Sequence, residues 1–133
     1  MFTETGGAWK QVAALKGADT VAGDDFGFGV AVSGTTAVVG AEGAFPDGRA
    51  YVFTKTAGVW RQVAEVKGSE VGVTAGLVAI SGTTAILSGT AAVLTKTGAV
   101  WKQVAELRST GSTSPAAQRP AQWPYRARPP SWV

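Results

Sequence analysis

The sequence predicts an all-β protein, and three observations support this fold class. Gly, Val, Ala and Thr are abundant in the 133 residues, which favours strands and turns over helices. Apolar residues alternate with a period of two, so that Phe28, Val30 and Val32 fall on one side of an extended strand. The third observation is that two short sequence motifs recur along the chain.

The recurring motifs define a tandem repeat. The motif W-(K/R)-Q-V-A occurs at Trp9, Trp60 and Trp101, with spacings of 51 and 41 residues. The motif VAVSGTTAVVG at 30–40 returns as VAISGTTAILS at 78–88, an offset of 48. The repeat period is therefore near 50 residues, and the second unit is about ten residues shorter than the first.

Each unit is predicted to form four short strands. Gly-Thr-Thr at 34–36 and Asp-Gly at 47–48 are typical of hairpin turns. Four antiparallel strands per repeat are typical of a propeller blade, and a closed propeller needs four or more blades. The sequence thus predicts four-stranded propeller-blade repeats in an incomplete β-propeller of about one and a half to two blades. In the first unit the predicted strands are 28–33, 36–42, 49–56 and 59–67.

The chain divides into repeats and a tail. Residues 1–107 are expected to hold an outer strand at 3–17, a full blade at 21–70 and a shortened blade at 71–107. The tail, 108–133, holds five of the six prolines, four arginines and no acidic residue, so it is predicted to be disordered. Its abrupt composition also fits a shifted reading frame. Because the net charge of the repeats is −1 and that of the tail +4, no nucleic-acid-binding face is expected on the repeats.

The composition excludes several chemistries. The chain has no Cys, no His and no Asn, which argues against disulfides, zinc sites and Ser-His triads. Asp25-Phe26-Gly27 is not a kinase motif, since the H-R-D catalytic loop needs a histidine. Asp24 and Asp25 are interpreted as a turn or cap and not as an acid-base pair. No enzymatic activity is expected.

A family resemblance follows from residues 24–41, D-D-F-G-F-G-V-A-V-S-G-T-T-A-V-V-G-A, followed by G-R-A-Y-V-F and G-V-W. This pattern resembles the FG-GAP repeat, with Phe26-Gly27 as the FG pair and Gly40-Ala41 as the GA of GAP, where Glu42 replaces proline. The resemblance covers about residues 3–107. It implies a seven-bladed propeller that serves adhesion or ligand binding, located outside the cell or at its surface, although no signal peptide is visible in this chain.

Structural roles are expected for several individual residues of the repeats. Phe26 is expected in the core of the blade, while Gly27 and Gly29 would let neighbouring backbones approach closely. The three repeated tryptophans are expected to pack each blade against the next, with a carbohydrate-stacking set as the alternative. The motif residues interpreted as structural are Phe26, Gly27, Gly40, Ala41, Trp9, Trp60 and Trp101.

Calcium is the one cofactor that the resemblance raises. Some blades of the family carry a calcium loop between the second and third strands. The matching loop here, 42–48, offers only Glu42 and Asp47, whereas calcium takes six to eight oxygen ligands. No cofactor is therefore expected.

A membrane helix is the main structural alternative. Residues 71–95 lack charge over 25 positions, and Gly72 and Gly76 form a G-x-x-x-G pattern. Seven Ser or Thr residues, the Gly-Thr-Thr turn and the alignment with the first unit favour strands instead.

The function expected from the resemblance is non-catalytic binding or adhesion at a cell surface, or a fragment of a protein with that role. The expected partner is a protein or carbohydrate ligand, together with self-association through open blade edges. Two alternatives remain: a small membrane protein that spans at 71–95, and a non-functional remnant of a longer repeat protein.

Overall fold

The computed structural model describes residues 1–71, 76–88 and 91–107. In this part of the chain all paired strands are antiparallel, which confirms the predicted fold class. The described elements are β1 Phe2–Thr5, β2 Ala8–Gln11, β3 Phe26–Ser33, β4 Thr36–Ala41, β5 Arg49–Thr56, β6 Val59–Lys67, a single helical turn α1 Gly68–Val71, β7 Val78–Ser81, β8 Thr84–Leu87, β9 Ala92–Thr97 and β10 Val100–Glu106.

The strands form a hairpin and two blade-like sheets. The N-terminal hairpin consists of β1 and β2, the first sheet has the order β3-β4-β5-β6, and the second sheet has the order β7-β8-β9-β10. We refer to the first two strands of each sheet as its inner pair and to the last two as its outer pair. The described strands do not close into a propeller, and the shortened second unit keeps four paired strands.

The N-terminal segment differs from the single outer strand predicted at 3–17. It folds back at Gly6 and Gly7, whose φ angles of 60° and 78° are typical of a two-residue primed turn. Glycine adopts these positive angles without steric cost, so the chain reverses there and pairs β1 with β2.

One irregularity recurs in the outer pair of each sheet and in the N-terminal hairpin. In the first sheet the register shifts between Val52 and Phe53, which leaves Val63 as an extra residue in β6. In the second sheet Val104 is the extra residue of β10. In the N-terminal hairpin Val12 and Ala13 both donate their N–H groups to the carbonyl of Met1. This bulge follows W-(K/R)-Q each time, so the sequence repeat is a repeat of backbone geometry.

The two sheets pack face to face. We define the front face of a sheet as the one that carries its repeated tryptophan, and the back face as the opposite one. The front face of the second sheet packs against the back face of the first, and β7 lies against β3 and β4. This buried core contains Val38, Ala50, Val52 and Val66 from the first sheet and Ala85, Leu87, Ala92, Leu94 and Trp101 from the second.

The segment proposed as a membrane helix contains strands. The described residues between 71 and 95 include β7, β8 and the start of β9. Gly82, with a φ of 55°, forms the turn that reverses the chain between β7 and β8. None of the helical residues that the structure describes belongs to a helix long and apolar enough to cross a membrane. Gly72 and the tail, 108–133, lie outside the described residues.

Candidate functional site

An open apolar cavity lies on the front face of the first sheet. Its volume is about 330 Å³, and its lining includes Met1 and Leu15 from the N-terminal segment and Phe26, Val30 and Val32 from β3. Val30 and Val32 are 66% and 53% exposed, although their strand alternation places them on an apolar face. Large branched side chains at the mouth of an apolar cavity are typical of an interaction surface.

The second sheet shows what normally covers this position. Val78 and Ile80 correspond to Val30 and Val32 in the repeat, and they pack at the border of the buried core between the sheets. They are covered because β7 lies beneath the inner pair of the first sheet. The described residues provide no such inner pair above Val30 and Val32, which is why the cavity is open.

The outer half of the same front face is covered by residues 12–25. Leu15 packs there against the second core cluster of the first sheet, which contains Ala37, Val39, Ala41, Ala44, Tyr51 and Phe53. The Ala18 N–H donates a hydrogen bond of 2.8 Å to Oε1 of Gln62 in β6. The segment is thus attached to the outer pair and leaves Val30 and Val32 of the inner strand β3 exposed.

A polar cluster fixes this covering segment. The buried Tyr51 hydroxyl donates a hydrogen bond of 2.8 Å to Asp19 Oδ1, and the Arg49 guanidinium forms an ion pair with the same carboxylate. Arg49 Nε also lies 3.5 Å from Glu65 Oε1. Burial and the hydrogen bond to Asp19 raise the pKa of Tyr51 to about 12, and the same hydrogen bond lowers the pKa of Asp19. Because these groups are paired with one another, we interpret the cluster as structural.

The FG pair has two different roles. The Phe26 ring packs edge-on against Tyr51 and Phe53, with centroid distances of 5.6 and 6.3 Å. Gly27 has a φ of 98° within the β-bulge of β3, and a Cβ added there would meet no atom within 4 Å. Its requirement is conformational, which differs from the close approach expected for it.

The close approach belongs to Gly29. A Cβ at this position would lie 2.8 Å from the Cα of Leu77, so the absence of a side chain lets β3 and the start of the second sheet touch. Gly40 pairs with Gly29 in the β3–β4 ladder, and the fully buried Ala41 pairs with Phe26. The GA dipeptide therefore lies directly beside the FG pair.

The three repeated tryptophans occupy equivalent positions but different environments. Trp9, Trp60 and Trp101 lie opposite Glu4, Lys55 and Lys96 in their hairpins. Trp101 is buried between the sheets, and Trp60 is partly buried against the second cluster. Trp9 is 69% exposed and packs against no blade, because the described chain has no sheet on that side. With Trp101 in the core, the three rings do not form one carbohydrate-stacking surface.

The paired aspartates lie in a turn. Asp24 Oδ2 accepts a hydrogen bond of 2.9 Å from the Val21 N–H, and the Asp24 carbonyl accepts one of 3.1 Å from Gly43. Asp25 has a positive φ of 52° in the same turn. These contacts join the approach to β3 to the 42–48 loop and correspond to the predicted turn role.

The loop at 42–48 presents few ligands for a cation. The Glu42 side chain lies against Gly76, where an added Cβ would be 2.8 Å from Glu42 Oε2. Asp47 is exposed on the same loop. Among residues 1–71, 76–88 and 91–107, no three acidic side chains gather into a metal site.

The cavity itself was not predicted from the sequence, although a signal for it was present. The tryptophan alignment places Met1 and Leu15 at the positions of Val52 and Val66. Those two residues contact the second sheet, so their counterparts should contact the first.

Comparison with known proteins identifies the repeat. The family model of the FG-GAP repeat matches residues 9–53, from Trp9 in β2 to Phe53 in β5. No curated protein and no solved structure matches the chain. The match includes both Phe26-Gly27 and Gly40-Ala41, the residues on which the resemblance was based. Residues 9–53 of this chain are therefore similar to an FG-GAP repeat.

Proposed function

We propose that this protein is a non-catalytic repeat protein for binding or adhesion at a cell surface. The observation that carries the proposal is the open apolar cavity on the front face of the first sheet. The family supports it, because FG-GAP repeats are often found in extracellular, adhesion-related proteins and are typically non-enzymatic.

The chemistry of the cavity favours a protein ligand over a carbohydrate. The residues that line it are apolar, including Leu15, Phe26, Val30 and Val32. A sugar placed there would lose hydrogen bonds from its hydroxyl groups to water without replacement, which is costly. Apolar side chains of a protein would gain free energy from the same contact.

The shortened second unit counts against the remnant alternative. Although it has lost about ten residues relative to the first unit, its four strands stay paired. Leu87 and Ala92 are fully buried in the core between the sheets. A decayed repeat would have no reason to keep this packing.

Protease treatment of intact cells tests the proposed location. Cells that express the chain are treated with a non-penetrating protease, and the repeats are detected with an antibody to residues 1–107. We expect the repeats to be degraded while a cytosolic marker stays intact. Full protection until the cells are lysed would contradict a role at the surface.

Competition with purified protein tests the adhesive role. We expect the full chain, added in excess, to reduce attachment of the same cells to their substratum. A Val30→Lys variant, which places a charge at the cavity mouth, should lose this effect. Val104→Lys, a change at a similarly exposed valine of the bulge in β10, should retain it. Equal inhibition by both variants would exclude the cavity as the adhesive site.

A further inference from the structure

The N-terminal hairpin has the structure of the outer half of a blade. An offset of 51 residues places Phe2–Thr5 on the second half of β5 and Ala8–Gln11 on the start of β6, with the same bulge following. Met1 and Leu15 then correspond to Val52 and Val66. Met1 and Leu15 therefore contact the first sheet at the positions where Val52 and Val66 of the first sheet contact the second, while β1 and β2 themselves are exposed.

The inner half of this blade is missing from the described structure. In the two complete sheets the third strand pairs with the second. The backbone N–H of Lys55 donates a hydrogen bond of 2.8 Å to the Thr35 carbonyl, and that of Lys96 donates one of 2.8 Å to the Thr83 carbonyl. The corresponding donor in the hairpin is the N–H of Glu4. Within residues 1–71, 76–88 and 91–107, strand β1 pairs with β2 alone, so its other edge has no partner among them.

The geometry of the hairpin directs the Glu4 backbone to that free edge. Thr5 and Ala8 flank the two-residue turn and form a hydrogen-bonded pair with each other. In an antiparallel ladder such pairs alternate with pairs whose N–H and C=O groups point outward. Glu4, opposite Trp9, is the next pair and presents its groups to the open side.

The cavity lies next to this free edge, where the missing inner strands would pack. In the complete interface Gly29 lets β3 touch the start of the second sheet, and Ser33 Oγ accepts a hydrogen bond of 2.9 Å from the Gly82 N–H. The repeat equivalent of Gly82 in the first sheet is Gly34. A strand pair over Val30 and Val32 would complete both the apolar and the polar contacts.

We propose that the free edge of β1 and the cavity beside it form one binding site for a two-stranded β-hairpin from another protein. The hairpin would carry the inner-strand pattern, alternating small and branched apolar residues around a Ser-Gly-Thr-Thr turn. Backbone hydrogen bonds to β1 would supply affinity and the cavity would supply selectivity for side chains. The inference rests on the proposed binding role of this face, but not on its location at a cell surface.

The number of strands in the described part of the chain argues against a second copy as the donor. The described part of the chain holds three outer pairs, counting the N-terminal hairpin, and two inner pairs. Exchange of inner pairs between copies of this chain would always leave one outer pair per copy without a partner. Such an exchange therefore does not fill the site, and the donor that we propose is another repeat protein.

A peptide of residues 24–43 of this chain is a suitable probe. It contains β3, β4 and their turn, and its three carboxylates favour solubility. We expect the labelled peptide to bind the full-length chain saturably at a ratio of one to one, measured by fluorescence anisotropy. Glu4→Pro removes the outward N–H and Val30→Lys charges the cavity mouth, so each should weaken binding by about tenfold or more. Val104→Lys should change the affinity by less than about twofold.

The same titration can overturn the proposal. Absence of binding at roughly 100 μM peptide, or equal binding by all variants, would contradict it. A dimer present without peptide and lost in Glu4→Pro would assign the free edge to a second copy and also contradict it. Circular dichroism checks that each variant is folded, and Val30→Lys tests the site without altering the backbone. If adhesion depended on Val30 but the peptide did not bind, only this inference would be contradicted. If the peptide bound but adhesion did not depend on Val30, only the adhesive function would be contradicted.

Discussion

Tyr51 shows how one buried side chain holds the covering segment on the first sheet. It is fully buried, and its hydroxyl reaches Asp19 across 32 residues of sequence. The segment could pack on the sheet through Leu15 alone, but that contact does not fix its register. The hydrogen bond and the ion pair with Arg49 fix its position along the outer strands.

Tyr51→Phe should destabilise the protein and change its response to alkaline pH. We expect the free energy of unfolding to fall by about 1–2 kcal/mol at neutral pH, because a hydrogen bond to a carboxylate is lost. The pKa of Tyr51 is raised from 10.0 to about 12, so its neutral form is favoured in the folded state. This contribution is complete below pH 10 and disappears as the pH rises toward 12.

Urea unfolding at several pH values measures this effect. The wild-type protein should lose stability between pH 10 and 12 more steeply than Tyr51→Phe does. Parallel stability curves for the two proteins would mean that the tyrosine titrates alike in folded and unfolded chains.

The backbone conformation of Ala57 affects the stability of the protein. It has a φ of 50° in the turn between β5 and β6, where alanine is disfavoured by its Cβ. Ala57→Gly should therefore raise the free energy of unfolding by about 1 kcal/mol, measured by thermal or urea unfolding.

The turn of the second sheet supplies the matched control. Ala99 occupies the turn between β9 and β10 and does not have a positive φ. Ala99→Gly should lower stability, because glycine adds freedom only to the unfolded chain. If both substitutions changed stability in the same direction, the backbone angle would not be the cause.

At the scale of the strand, the presence of a neighbouring sheet determines how much each repeated tryptophan contributes to the free energy of unfolding. Trp101→Ala should reduce the free energy of unfolding by about 3–5 kcal/mol, because it removes a large ring from the core between the sheets. Trp9→Ala, the same change on the exposed N-terminal hairpin, should stay within about 0.5 kcal/mol. Equal losses in the two variants would show that the repeated residue has the same role in every unit.

The strands were largely predictable from local signals. Predicted and observed limits agree for 49–56 and 59–67, because turn residues and a period of two mark both ends. The N-terminal hairpin was missed: residues 3–17 were predicted as a single outer strand, although the alignment on Trp9 matches them to parts of two strands and Gly6 and Gly7 reverse the chain. No local pattern marked residues 12–25 as a covering segment.

The candidate site was less predictable than the strands because it depends on contacts distant in sequence. Asp19 meets Arg49 and Tyr51 only after the chain has crossed the sheet. The cavity arises where no described strand pair covers β3, and a sequence pattern does not reveal a missing neighbour. The repeat alignment contained the information only indirectly, through the equivalence of Leu15 and Val66.

At the scale of the whole molecule, calcium should have no effect on stability. We propose that the 42–48 loop binds no calcium, because Glu42 and Asp47 are its only carboxylates. Adding about 1 mM calcium, a concentration at which extracellular calcium modules bind, should leave the Tm unchanged. Adding EDTA should also leave it unchanged. A higher Tm with calcium that Asp47→Asn abolishes would contradict this prediction.

The close contact between Gly29 and the start of the second sheet makes the two ends of the array different. The repeat places Leu77 at the position of Gly29, so a further blade packed on the back of the second sheet in the same geometry would meet a leucine side chain. The cavity side has no such obstacle. We therefore expect the face of the first sheet that carries the cavity to accept a further unit more readily than the back face of the second sheet, where Leu77 would have to move aside.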